Sequence, residues 1–239
     1  LELLAENTKE GTGKVIPCVG DVTDEEFRKR LIHTATEQHH RIDLLVNNAG
    51  IGAIGPFAEA SAERLRRVME VNFFAAAELT RGCLPFLKRG RHPVVCNLGS
   101  VLGHCAVPNK SEYCASKFAV HGWSDALRAE LRRDRIQVTL VSPSTTRSEF
   151  FDSLIDTPAD QTSQSLGSWP PERVASRTLA AIKARRREVI LSLGGKLLVY
   201  ADRFAPWLIA IILGRSTHKA SANPAPEKDA EKDASASKS

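Results

Sequence analysis

Apolar residues along this chain keep two rhythms. Short, almost unbroken apolar runs recur, and each is followed by a longer stretch in which apolar positions return every three or four residues. The first rhythm predicts strands buried on both faces, and the second predicts amphipathic helices. Strands are expected at Lys14–Val19, Ile42–Val46, Val94–Leu98 and Ile136–Val141, with Val189–Leu193 as a last one. Helices are expected from Asp24 to His40, from a Ser61 cap to about Leu84 just before Pro85, and from Ser111 to Arg133. A further helix opens on Pro171 and ends in the charged run Lys183–Glu188. Strands each followed by a helix make a parallel sheet covered on two sides, with ligands at the carboxyl ends of the strands. The residues just after Val19, Val46, Leu98 and Val141 are therefore the ones to read for chemistry.

The rhythm stops near Gly214. From Thr217 to Ser239 the chain turns to Ala, Ser, Lys, Asp, Glu and Pro, too little apolar surface to offset the entropy of ordering. The expected organisation is one domain over 1–214 and a disordered polar tail over 215–239. The 239 residues are 42% hydrophobic and 26% charged, a globular balance. The net charge of +5 is spread along the chain, which argues against a nucleic-acid surface. Arg185, Arg186 and Arg187 sit where a helix C-terminus favours cations.

Five cysteines with no C-x-x-C pair predict reduced thiols, no disulfide framework and no metal site, and hence a cytoplasmic location. No apolar window reaches the length of a spanning helix, about 18 residues. The stretch 197–213 joins Phe204, Trp207 and many aliphatics to Asp202 and Arg203, flanked by Lys196 and Arg215. Two readings stay open for it: peripheral contact with a membrane or an apolar substrate entrance, and a helix packed on the core or a partner subunit.

Two motifs compete for the chemistry. Gly50-Ile51-Gly52-Ala53-Ile54-Gly55 has G-x-G-x-x-G spacing after an apolar strand, but Pro56 follows and no helix starts before Ser61. A glycine-rich surface loop near a ligand is the better reading than a pyrophosphate turn. Tyr113-Cys114-Ala115-Ser116-Lys117 places a phenol and an ammonium one helical turn apart. A phenol titrates near ~10, too high for efficient proton transfer at neutral pH, and a neighbouring ammonium lowers it. The same five residues also suit an ordinary amphipathic helix.

Ser100 at a strand end, Asn72 in Glu70-Val71-Asn72-Phe73, Asn47-Asn48-Ala49-Gly50 and Gly20-Asp21-Val22 complete a pattern. With Tyr113 and Lys117 it resembles the short-chain dehydrogenase/reductase family over about Leu1 to Gly214. The resemblance implies a Rossmann-like doubly wound parallel sheet and an NAD(P)-dependent interconversion of a secondary alcohol and a ketone. It implies Tyr113 as acid/base, Lys117 as the residue that lowers its pKa and binds the nicotinamide ribose, and Ser100 as the hydroxyl polarising the substrate oxygen. Asn72 would anchor a water-mediated relay to Lys117. Asp21 and Val22 would lie beside the adenine, and Asn48, Ala49 and Gly50 would close the adenosine side. Thr146 would offer its backbone to the carboxamide, with Ser148 in place of a capping threonine; Ser144 and Thr146 depart from the family's pattern there. NADP is preferred over NAD, and a homo-oligomer is implied.

The chain opens on Leu1-Glu2-Leu3-Leu4 as though inside a helix, and nothing in it matches the family's first β-α-β unit with its T-G-x-x-x-G-x-G turn. An N-terminally incomplete domain is therefore expected, with unpaired edges at Lys14–Val19 and Ile42–Val46. Phe150, Phe151, Leu154 and Ile155 fall where the family has a mobile loop over the substrate, and they suggest a lipophilic one. A non-catalytic scaffold of the same fold is the alternative, but it has no need of Asn72, Ser100, Tyr113 and Lys117 together.

Overall fold

Four strands form one parallel sheet, the central two buried and the outer two partly exposed. The computed structural model describes residues 14–144, 146, 154–155, 157 and 168–221, the last seven by backbone alone. Strands β1 (Leu44–Asn47), β2 (Val94–Leu98), β3 (Gln137–Ser142) and β4 (Glu188–Ile190) lie in the order β1-β2-β3-β4. Register is set by Val46 opposite Cys96, Cys96 opposite Thr139 and Val141 opposite Val189. Helix α1 (Glu25–Thr36) precedes the sheet, and α2 (Ala62–Met69), a π-turn (Glu70–Phe74) and α3 (Ala75–Leu87) connect β1 to β2. Helix α4 (Ser111–Glu130) connects β2 to β3, and α5 (Pro171–Lys183) precedes β4.

Strand alternation sorts the core into two layers. Val95 and Val138 turn to one face, where they pack with Cys83, Leu87, Leu127, Leu131 and Ile136. Cys96 and Val141 turn to the other, against Ala181, Ile182 and Val189. Both sides of β2 and β3 are thus dry, which is why these strands read as continuous apolar runs. All five cysteines are free, and burial pushes Cys83 up to about 11 and Cys96 up to about 12, so these two thiols act as packing groups.

The chain divides into two compact units, Leu1–Tyr200 and Ala201–Ser239. The first holds the sheet. Helix α6 (Leu193–Phe204) spans the division, and α7 (Pro206–Ser221) belongs to the second unit. Helical backbone therefore runs to Ser221, into the segment expected to be disordered; residues 222–239 lie outside the described ones.

Four other expectations are corrected. Lys14–Val19 is not a buried strand: it has no ladder, and Val15, Ile16 and Val19 are exposed. Among the described residues nothing pairs with the outer side of β1, so the segment has no partner strand and its backbone stays in water. The helix expected to stop before Pro85 runs through it to Leu87, because the fully buried Leu87 fixes the last turn in the core at the cost of one backbone bond. The helix from Ser61 is not continuous α-helix either, since a π-turn interrupts it at Asn72. Finally, the glycine-rich segment is buried rather than on the surface. Gly52 O accepts from Ile155 N at 3.1 Å, Ile54 N donates to Thr157 at 3.0 Å, and Gly55 N donates to Asn109 O at 2.8 Å. No helix follows at the place a pyrophosphate turn requires.

Ser61 caps α2 by accepting from Arg64 N at 3.0 Å, as expected. The same Arg64 then crosses to α4, where its Nε and Nη2 donate to Glu112 Oε1 at 3.0 and 2.7 Å. Both side chains are almost fully buried, at 2 and 1% exposure. Breaking such a pair from one side leaves a charge stranded in the core. Arg64→Ala is expected to cost about 3–5 kcal/mol of stability in urea unfolding. A loss below about 1 kcal/mol, the range of exposed pairs, would contradict the buried pairing.

Candidate active site

The site is built where β2 ends and α4 begins. Ser100 follows β2 and caps a short 3-10 turn (Val101–Gly103), its Oγ accepting from Leu102 N at 3.1 Å. On α4, Tyr113 and Lys117 lie one turn apart on the inward face, and the Ser100 hydroxyl bonds the Tyr113 phenol. Lys117 is buried, and its Nζ donates to Leu98 O at 2.9 Å, 5.7 Å from the centre of the Tyr113 ring.

The electrostatics differ from the expectation. In this structure burial pushes Tyr113 up to about 12, and the bond from Ser100 works against that shift. The Lys117 ammonium is spent on a backbone carbonyl and is pushed down to about 8 by its own burial. At neutral pH the phenol is a held proton, suited to donation.

Asn72 completes the cluster from the π-turn. Its Oδ1 accepts from Ile51 N at 2.8 Å, and its Nδ2 donates to Ile51 O at 3.0 Å and Ser116 Oγ at 2.9 Å. Ser116 in turn donates to Tyr113 O at 2.8 Å. Asn72 thus fastens the chain after β1 to the turn of α4 that carries Tyr113. The π-turn has a function here: one extra residue in the turn changes which side chain faces inward, and π-bulges concentrate at functional sites.

Gly50 lies beside this junction with no side chain to fill it. A Cβ there would stand 3.3 Å from Asn72 Oδ1 and 3.6 Å from Lys117 Nζ. A bare strand end next to one buried ammonium and one amide offers donors and acceptors of the kind that hold ribose hydroxyls and a carboxamide. The donor set fits a nicotinamide nucleotide. Asn48 and Ala49 continue out of β1 to Gly50, while Asn47 donates to Thr80 and Asn97 at 2.9 and 2.8 Å and Asn97 to Ser124 at 2.8 Å, tying β1, β2, α3 and α4 together.

The remaining expected residues are not brought into the cluster. Asp21 bonds Arg67 of α2 at 2.9 Å and accepts from Thr23; the guanidinium first, then the Thr23 amide and hydroxyl, hold its carboxyl down to about 2. Val22 O receives Arg28 at 2.8 Å. Thr146 pairs with Trp169, and Ser148 lies outside the described residues, as do Phe150 and Phe151.

This geometry matches known proteins. A family model described as short chain dehydrogenase matches residues 1–159. The chain belongs to that family. A dehydrogenase/reductase SDR family protein 7-like from Anopheles gambiae is 34% identical over 192 residues, 79% of this chain and 59% of that protein. A 3-ketodihydrosphingosine reductase from Bacteroides thetaiotaomicron is 34% identical over 144 residues, 60% of this chain and 54% of its own length. The chain therefore spans little more than half the length of these relatives. A short-chain dehydrogenase/reductase from Burkholderia phymatum in complex with NAD superposes with a TM-score of 0.76 at 24% identity, covering 87% of this chain and 82% of that one. A short-chain dehydrogenase from Burkholderia cenocepacia in complex with NADP gives 0.72 at 25% identity, covering 86 and 81%.

Against this short-chain dehydrogenase frame, sequence reasoning missed Ser116, Arg64 and Glu112. Ser116 is one residue before Lys117 and offered no signal beyond a small polar residue on an inward face. Nothing local in the sequence reveals that Arg64 and Glu112 meet.

Lys117 makes the site testable through stability. Burial lowers it from 10.5 to about 8, so between those values the unfolded chain holds a proton that the folded chain does not. Its contribution to stability therefore rises with pH across that window, by up to about 3 kcal/mol. Urea unfolding at about pH 7.5 and about pH 10 should show wild type gaining on Lys117→Met as pH rises. Parallel curves would contradict the burial of a titrating ammonium.

Proposed function

We propose that this protein is an NAD(P)-dependent oxidoreductase that interconverts a secondary alcohol and a ketone on a lipophilic substrate. The observation that carries the reading is the convergence of Ser100, Tyr113 and Lys117, with the Ser100 hydroxyl on the Tyr113 phenol and the Lys117 ammonium beside the ring. Asn72, Lys117 and the bare backbone at Gly50 are the residues that would hold the nicotinamide end. A nicotinamide cofactor, when bound, supplies or accepts the hydride.

The rest belongs to the chain. In the reducing direction Ser100 Oγ donates a hydrogen bond to the carbonyl oxygen, where negative charge develops, and Tyr113 Oη delivers the proton. In the oxidising direction Tyr113 takes the proton back. Lys117 keeps its place through Leu98 O, and Asn72 holds the Tyr113 turn through Ser116, which supports the relay role suggested by the family resemblance.

The lipophilic substrate is supported by what stands beside Ser100. A Cβ on Gly195 of α6 would lie 2.7 Å from Val101 Cγ2, so this helix begins against the residue after Ser100. It carries Leu193, Leu197 and Tyr200 exposed. The relative named for 3-ketodihydrosphingosine points the same way. Tyr113→Phe is expected to lower turnover of a long-chain ketone by ~10²–10⁴-fold while leaving nucleotide affinity within a few fold. Near-normal turnover would overturn the assignment of Tyr113.

Peripheral contact with an anionic membrane is part of the same proposal. Among the described residues no single helix is long and apolar enough to cross a bilayer. Yet α7 exposes Trp207, Leu208, Ile211 and Ile212, and Arg203 and Arg215 flank this stretch with positive charge. Sedimentation with phosphatidylserine-containing vesicles should carry wild type down and leave Ile211→Asp in the supernatant. Equal behaviour of the two would remove the membrane from the proposal.

A further inference from the structure

Beyond the site just described, two imidazoles and a carboxylate from three separate elements meet. Among the described residues His104, His121 and Glu188 form a group whose ligand-type atoms all lie within 4.8 Å of one another. His104 follows the 3-10 turn after Ser100, His121 stands one turn beyond Lys117 on α4, and Glu188 opens β4. We propose that His104, His121 and Glu188 form a binding site for a divalent transition metal of the Zn²⁺ class.

The donor chemistry and the outer contacts both favour it. Two imidazoles and one carboxylate with an open fourth position are a recurrent zinc set. Ligands about 2.0 Å from a tetrahedral ion stand about 3.3 Å from each other. His104 Nε2 and Glu188 Oε1 are already 3.3 Å apart, and Ser142 Oγ lies 2.9 Å from the same nitrogen. The Glu188 side chain is 37% exposed at the rim, while those of His104 and His121 are 8 and 25% exposed. The two imidazoles lie against each other, ring centres 4.2 Å apart and planes tilted by 52°.

His121 shows the second-shell arrangement of a metal ligand. Its Nδ1 is 3.0 Å from Gly103 O, and a carbonyl only accepts, so Nδ1 carries the proton and Nε2 the lone pair. That lone pair faces Asp125 Oδ2 at 3.6 Å. Arg128 bonds Asp125 and, through Nη2, Arg187 O at 3.0 Å, so Asp125 is neutralised and Glu188 is the anion left for the ion. The ligands come from three separate elements, which is why no sequence spacing announced them.

The ion would clamp the turn after Ser100 to α4 and β4, outside the reacting groups. The test is calorimetric titration of the full chain with Zn²⁺ after chelator treatment, paired with Co²⁺ absorption spectra. Expected are one equivalent bound at micromolar affinity, a rise in melting temperature and a d–d spectrum of nitrogen and oxygen ligation. Glu188→Gln should weaken binding by at least about tenfold, the loss that even outer-shell changes cause. His104→Gln/His121→Gln should abolish it. Zinc affinity unchanged in Glu188→Gln, or a cobalt spectrum dominated by thiolate charge transfer, would overturn the site. Glu188→Gln keeps the test decisive if the double variant fails to fold, because only its rim carboxylate changes.

Discussion

One buried cation organises the end of the sheet where the candidate site lies. The Lys117 ammonium is almost fully removed from water, and a charge so placed must be compensated where it stands. Leu98 O compensates it, and that single bond joins α4 to the end of the central strand β2. Once the joint is made, Tyr113 one turn earlier has to stand over the strand end, and Ser100, two residues past Leu98, has to stand beneath it. The half-buried phenol is then desolvated in its turn, which favours its protonated form. Lys117 therefore acts on Tyr113 mainly by position.

Around that joint the fold invests polar groups heavily. Asn72 spends three hydrogen bonds on Ile51 and Ser116, and Asn47, Asn97 and Ser124 form a second buried chain across β1, β2 and α4. Arg64 and Glu112 form a third fastening at the start of α4. Buried ion pairs seldom add net stability, but they fix one arrangement against alternatives. Three independent ties converge on the helix that carries Tyr113, the preorganisation that its proposed acid/base role requires.

Much of this is legible in the sequence alone. β2 and β3 read correctly because both their faces are dry, so composition alone marks them. Ser61 and Asp24 announce their helices because a capping oxygen is a local device. Lys14–Val19 misread because strand character depends on a neighbour, and an apolar run records only the tendency. Pro85 misread because a core residue two positions later, Leu87, overrides a local break. The π-turn at Asn72, the Arg64–Glu112 pair and the His104–His121–Glu188 group were invisible, since each depends on where distant segments meet. The glycine-rich loop lay between these cases: its rejection as a pyrophosphate turn followed from Pro56, but its burial under Ile155 and Thr157 did not.

The account stands most directly on the protonation of Tyr113. The chain has two tyrosines, so Tyr200→Phe leaves Tyr113 as the sole phenol whose ionisation can be followed by absorbance. With circular dichroism reporting that the fold is intact, phenolate is expected to form only as pH approaches about 12. Phenolate appearing at or below the ordinary ~10 would mean that the phenol is neither buried nor held as a proton donor, and would contradict the site as described.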